Sequence, residues 1–202
     1  MNSMTRITFA AALAILALPV VAQSTTQSTP VTGQTIQQRK ENQQDRIGQG
    51  VQSGELTAGE TKNLEKKEAA INQEERNMRK LDNGKLTTAD KKTLTQQQNQ
   101  LSKQIYKDKH NSTEQNTSPK SEVGKRAENQ QDRIAQGVKS GQLTAGETAN
   151  LEKKEAAINK EVRNDRAANG GKLTPPERAQ VNRQQNKVSH QIYRDKHNGR
   201  HQ

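Results

Sequence analysis

The chain of 202 residues is too polar for a large hydrophobic core, since only 27% of its residues are hydrophobic and it has two Tyr, one Phe and no Trp, against roughly 45–50% apolar residues in ordinary soluble domains. It contains no Cys, which excludes disulfides, thiolate metal sites and cysteine nucleophiles. Its formal net charge of +11 favours association with polyanions such as anionic lipid, lipopolysaccharide, acidic polysaccharide or nucleic acid. The alternative is that charges spread along the chain only keep a polar protein soluble.

The first 35 residues predict an export signal followed by a polar leader. Arg6 precedes an apolar run over residues 9–21, and small residues at the end of that run place a cleavage site after Ala22. An apolar run this short, followed by an uncharged polar stretch, is typical of a signal peptide and not of a membrane span. We therefore expect a signal peptide over 1–22, a disordered leader over 23–35, and a periplasmic or secreted protein without a transmembrane segment after cleavage.

Residues 36–111 (copy one) and 124–198 (copy two) carry the same sequence twice. The stretch ELTAGETKNLEKKEAAIN at 55–72 returns as QLTAGETANLEKKEAAIN, and QIYKDKHN at 104–111 returns as QIYRDKHN, both 87 positions later. Roughly two-thirds of the aligned positions are identical, which marks an internal duplication. The polar segment 112–123 is expected to be a flexible linker, and 199–202 a short tail.

The motif Gly-x-Leu-Thr-x-x-Glu/Asp occurs twice in each copy and predicts a break between helices. A Thr followed by an acid three residues later is a capping box, in which each side chain bonds the other residue's backbone amide. The preceding Gly suits the left-handed residue that ends a helix. The sequence therefore predicts helices over about 36–52, 58–81 and 88–109 in copy one, and over about 124–139, 145–168 and 175–196 in copy two.

The same turns resemble the second half of an EF-hand loop, with Gly54 at loop position 6. The resemblance implies calcium ligands at position 12, which are Glu60, Asp90, Glu147 and Glu177. The first half of the loop departs from the pattern, because calcium needs oxygen ligands where this chain has residues such as Val51 and Arg79. We therefore expect an all-α fold of tandem three-helix, EF-hand-like units with degenerate loops, in which the acid acts as a cap. The chain as a whole resembles exported bacterial proteins built from such repeats, which implies fold and location but no activity.

The end of each copy offers a candidate partner-binding cluster. Tyr, Lys and His lie close together near a predicted helix C-terminus, where cations are favoured. The candidate residues are Tyr106, Lys109 and His110 in copy one and Tyr193, Lys196 and His197 in copy two. The alternative is that Tyr covers a thin core while Lys and His complement the helix dipole.

The sequence carries no recognisable catalytic motif: it has no nucleophile elbow, HExxH, Walker loop or dinucleotide turn. We expect a non-enzymatic binding or structural protein without a cofactor, which engages an anionic partner or the cell envelope. One alternative is a calcium-binding regulator built on degenerate EF-hands. A second is a sequence-independent nucleic-acid binder, although the chain lacks the aromatic platforms on which bases stack.

Overall fold

The structure, a computed structural model, describes residues 33–117 and 119–201, and this part of the chain forms six α-helices and no strands. The expected all-α class is confirmed. The expected signal peptide and nearly all of the leader lie outside the described residues. The helices are α1 (Ile36–Ser53), α2 (Ala58–Leu81), α3 (Thr88–Lys109), α4 (Glu122–Lys139), α5 (Ala145–Ala168) and α6 (Pro175–Lys196). Their lengths of 18, 24 and 22 residues repeat in the same order.

The predicted helix boundaries agree with the structure except at the start of α4. That helix begins at Glu122, two residues before the predicted start, because the Ser121 hydroxyl accepts a hydrogen bond from the Gly124 amide at 3.2 Å and so caps the helix. None of the helices in the described part of the chain is long and apolar enough to cross a lipid bilayer.

Each of the four repeated turns is held by its acid. At the start of α2 the Thr57 amide donates to Glu60 Oε2 at 2.9 Å, and the Glu60 amide donates back to Thr57 Oγ1 at 3.4 Å. The same reciprocal bonds join Thr87 to Asp90 and Thr144 to Glu147. At α6 the Thr174 amide donates to Glu177 at 2.8 Å, and two prolines fill the first turn, where no intrahelical donor is needed.

In each copy, the leucine of the first repeated turn inserts its side chain into the core and so anchors the turn between two helices. Gly54 ends α1 with φ of 78°, which glycine adopts without strain, and the chain then turns so that the Leu56 amide donates to the Gly50 carbonyl at 2.9 Å. The Leu56 side chain is fully buried. A Cβ atom on Gly50 would lie only 2.7 Å from it, so the leucine needs glycine at that position. Leu143 and Gly137 repeat this contact in copy two.

Apolar side chains form two separate clusters, one for each copy. The cluster of copy one consists of Ile47, Val51, Leu56, Leu64, Ile71, Leu94, Leu101 and Ile105, together with Ala135 from α4. The cluster of copy two consists of Val123, Ile134, Val138, Leu143, Leu151, Ile158, Val162, Val181, Val188 and Ile192. Each copy therefore has its own small hydrophobic core.

The two copies nevertheless pack together through equivalent helices, α2 against α5 and α1 against α4. The approach of α1 to α4 is close: a Cβ atom on Gly48 would lie 3.2 Å from the Ala135 carbonyl oxygen and 2.5 Å from Lys139 Cγ. The segment between the copies also contacts copy one, since the Gln115 amide donates to the Gly54 carbonyl at 2.8 Å. The copies thus form one six-helix assembly with two apolar cores.

The contact between Gly50 and Leu56 predicts opposite effects for two glycine substitutions. In Gly50→Ala, overpacking costs about 1–3 kcal/mol and replacing a helical glycine gains about 1 kcal/mol, so the protein should be destabilised by up to about 2 kcal/mol. Gly59→Ala is the matched control in a helix, because the nearest atom to its new Cβ lies 3.9 Å away, and it should stabilise by about 0.4–1 kcal/mol. Urea unfolding of the full chain measures both values; a stabilising Gly50→Ala would contradict the assigned packing of Leu56.

Candidate functional site

The Tyr and His side chains of the predicted partner-binding cluster lie side by side on the surface. The rings of Tyr106 and His110 stack with centroids 4.1 Å apart, and those of Tyr193 and His197 with centroids 4.3 Å apart. His110 Nδ1 lies 2.7 Å from the Tyr106 carbonyl oxygen. A carbonyl oxygen only accepts, so Nδ1 carries the hydrogen and Nε2 is the ring atom left for another partner.

The residues next to this ring pair connect the end of one helix to the start of another. Asn111 Nδ2 donates to Glu60 Oε1 at 2.6 Å, and Asn198 does the same to Glu147 at 2.7 Å. The C-terminus of α3 is thereby tied to the capping box of α2, and the C-terminus of α6 to that of α5. Asn111 and Asn198 therefore have a structural role at these two helix ends, while the Tyr side chains of the candidate cluster remain half exposed.

The lysine of the cluster has different surroundings in the two copies. Lys109 Nζ lies 3.2 Å from Glu55 Oε2, but copy two has Gln142 in place of that glutamate. Burial, and then the charge of Arg133, lower the pKa of Lys196. Lys196 in copy two therefore lacks the glutamate that pairs with Lys109 in copy one.

The four acids that the EF-hand resemblance implies as calcium ligands do not come together. Glu60 uses Oε2 in its capping box and Oε1 to accept from Asn111, and Glu147 has the corresponding bonds. Asp90 and Glu177 cap α3 and α6, and hydrogen bonds from Thr87 and Thr174 lower the pKa of these two carboxyls. Across residues 33–117 and 119–201, no three acidic or histidine side chains are grouped as a metal site requires.

An open groove of about 710 Å³ lies between the linker and α5. Its walls include the cations Lys120, Arg163 and Arg166, but also the carboxylates Glu114 and Glu128. Arg166 is already engaged, since its Nη2 donates to Ser121 Oγ at 3.0 Å. This mixture of charges does not define a site for one class of ligand.

The most unusual chemistry of the protein was missed by the sequence analysis: four glutamates are completely buried. They are Glu65 and Glu68 on α2 and their equivalents Glu152 and Glu155 on α5, each with 0% of its surface exposed. Gln44 Nε2 donates to Glu65 Oε2 at 3.1 Å, and Gln131 Nε2 donates to Glu152 Oε2 at 3.0 Å. Within residues 33–117 and 119–201, no Lys or Arg lies within ion-pair distance of any of the four.

Burial dominates the ionisation of these carboxyls, because an apolar environment disfavours the charged form. It raises the pKa of Glu152 and of Glu155 to about 8 and that of Glu68 to about 7. The pKa of Glu65 is also raised well above its usual range, first by burial and then by the charges of Glu68 and Glu152. Because the charge of Glu152 raises the pKa of Glu65, these equivalent residues lie near each other where α2 meets α5.

A signal for these buried acids was present in the sequence. Positions 64, 68 and 71 recur with the helical spacing of four and three residues, so Glu68 falls on the same face as Leu64 and Ile71, which are both buried. Glu65 and Asn72 extend that face by one position. The segment LEKKEAAIN that contains this pattern is identical in both copies.

In comparisons with known proteins, no protein-family model, curated protein or solved structure matches the chain.

The capping boxes can be tested one at a time in the full chain. Thr57→Ala should reduce the free energy of unfolding by about 1 kcal/mol, since it removes the acceptor for the Glu60 amide. Thr88→Ala is the matched control, because Thr88 is exposed at the first helical position and caps nothing; its effect should stay within about 0.5 kcal/mol. Equal losses in urea unfolding of the two variants would show that the Thr57 hydroxyl does not cap α2.

Proposed function

We propose that this chain is an exported, non-enzymatic protein that binds an anionic component of the cell envelope through the lysines and arginines on its helix surfaces. The observation that carries the proposal is the separation of charge across the middle helices. In the segment LEKKEAAIN both glutamates are buried, whereas the lysines between them, Lys66 and Lys67 in α2 and Lys153 and Lys154 in α5, are exposed.

This separation increases the positive charge that the surface presents. A buried glutamate that keeps its proton contributes no negative charge, so each such residue leaves the protein one unit more positive than its formal charge. Several arginines are held by neutral oxygens and keep their full charge: Arg46 and Arg133 donate to Ser102 and Ser189, and Arg39 donates to Asn99. A surface with one dominant sign of charge attracts anionic partners.

Few of the cations are neutralised by neighbouring acids. All but one of the 33 Lys and Arg residues fall within the described part of the chain, where only three ion pairs occur. The longest of the three, between Arg200 and Glu147, spans 3.9 Å. The remaining basic side chains of the described residues form no ion pair with a carboxylate, so their positive charge is not neutralised within the protein.

Vesicle binding tests the proposal. The chain without residues 1–22 should bind vesicles that contain both phosphatidylglycerol and phosphatidylcholine, and this binding should weaken as the salt concentration increases. The same chain should not bind vesicles of phosphatidylcholine alone. Changing Lys66, Lys67, Lys153 and Lys154 to Gln should weaken binding by about tenfold or more, because a lysine near an anionic surface contributes about 1 kcal/mol and a tenfold change corresponds to about 1.4 kcal/mol.

The matched control changes the same four lysines to Arg, which keeps the charge and should keep the affinity. Equal binding by the Gln and Arg variants, or binding that does not respond to salt, would overturn the proposal. The alternatives have their own outcomes in the same assay: a strong preference for duplex DNA over the vesicles would favour the nucleic-acid binder, and a rise in melting temperature with calcium would favour the calcium regulator.

A further inference from the structure

Where α2 meets α5, buried acid side chains with amides beside them replace the apolar side chains that form the core inside each copy. Apart from Ala135, each apolar cluster draws its members from one copy. Between the copies, α2 packs against α5, and Glu65 lies close enough to Glu152 for the Glu152 charge to raise the Glu65 pKa. Glu68 and Glu155 follow three residues later on the same helices, which keeps them on the same face.

Most of the carboxylate oxygens in this contact have no hydrogen-bond partner. Gln44 and Gln131 donate to one oxygen each of Glu65 and Glu152, while the second oxygen of each and both oxygens of Glu68 and Glu155 are buried without a partner in the described structure. A buried carboxylate without partners is costly, and the group avoids that cost by remaining neutral. On Glu65 the proton belongs on Oε1, since Oε2 accepts from Gln44.

The charges that act on the four carboxyls come from α1, α2 and α5. Lys40 of α1 attracts the Glu68 carboxylate, and Glu75 of α2 repels it. Copy two has Ala127 and Val162 at the equivalent positions, so Glu155 has neither neighbour. The α4 helix supplies the neutral Gln131, and within the described residues α3 and α6 supply no charge that acts on the four.

We propose that the contact between the two copies is a proton-operated latch, which stays closed while Glu65, Glu68, Glu152 and Glu155 hold their protons and opens when they lose them. Ionisation places several negative charges in one unpartnered, buried layer, and separating α2 from α5 is the movement that hydrates them. Because the apolar clusters, apart from Ala135, lie within the copies, the copies separate while their helices stay intact.

The direction of the pH dependence follows from the raised pKa values. Once the contact opens, hydrated glutamates ionise near pH 4.3, whereas in the closed state the pKa is about 7 for Glu68 and about 8 for Glu152 and Glu155. Between these values the open form binds fewer protons, so rising pH favours it, by about tenfold per pH unit for each carboxyl. The closed form is fully favoured near pH 4 to 5, and the effect levels off above about pH 8.

A distance measurement on the full chain tests the latch. The protein has no native Cys, so Gln100→Cys and Lys187→Cys place spin labels at equivalent exposed positions of α3 and α6, two helices that do not contact each other. Between pH 5 and pH 9 the distance between the labels should lengthen, while the helical circular dichroism signal stays constant. An unchanged distance, or a helical signal lost in step with the lengthening, would overturn the proposal.

Isosteric variants identify the groups responsible. With all four glutamates changed to Gln, the labels should keep the short distance at pH 9. The double variant Glu152→Gln with Glu155→Gln, a milder change, should retain part of the response and shift its midpoint to higher pH. The matched control is Glu41→Gln with Glu128→Gln, which changes two glutamates at equivalent positions outside the contact. In this control the distance between the labels should lengthen at high pH as it does in the unmutated protein. Opening of the four-Gln variant at pH 9, or a control that stays closed, would contradict the assignment.

Discussion

A carboxyl group without a cation beside it stays buried only while it keeps its proton, and this constraint governs the contact on which the six-helix assembly depends. The glutamates lie on the buried side of α2 and α5, beside the Leu and Ile residues of each copy's own core. The contact between the copies therefore includes groups whose charge depends on pH. The apolar clusters can be small and separate because each has to hold together only three helices. Association of the copies then depends on protons as well as on apolar area.

The helices and their ends could be predicted from the sequence, because their signals are local. Thr57 and Glu60 are three residues apart, and the glycine that ends α1 lies just before them, so the turn is specified within one short segment. The early start of α4 was missed because Ser121 caps without the repeated motif. The buried role of Glu65 and Glu68 could not be predicted in the same way, because it depends on α5, which is distant in sequence. A glutamate on a polar helix is ordinarily placed in solvent, and only the partner helix reverses that preference.

Differences between the copies show which positions the architecture constrains. The glutamates, the amides that donate to them and the Gly50–Leu56 contact recur without change, whereas Leu94 and Leu101 become Val181 and Val188 and remain buried. Leu81 becomes Ala168 at a position where the leucine is 83% exposed, so that apolar side chain adds little to the core. The size of core side chains, the surface and the α1–α4 contact vary between the copies, since Gly48 lies against its own equivalent, Ala135. The four buried glutamates and the Thr of each of the four repeated turns do not vary.

Pairing between equivalent helices has a consequence for how chains meet one another. Copy one and copy two contact each other through nearly the same residues. Copy two of a neighbouring chain therefore fits the contact face of copy one as well as copy two of the same chain does. Pairing within one chain is favoured over pairing between chains only by the short covalent connection over residues 112–121, because this connection raises the effective concentration of one copy near the other. In a concentrated compartment this preference weakens, and reciprocal exchange of copies joins two chains into a domain-swapped pair without any new contact surface.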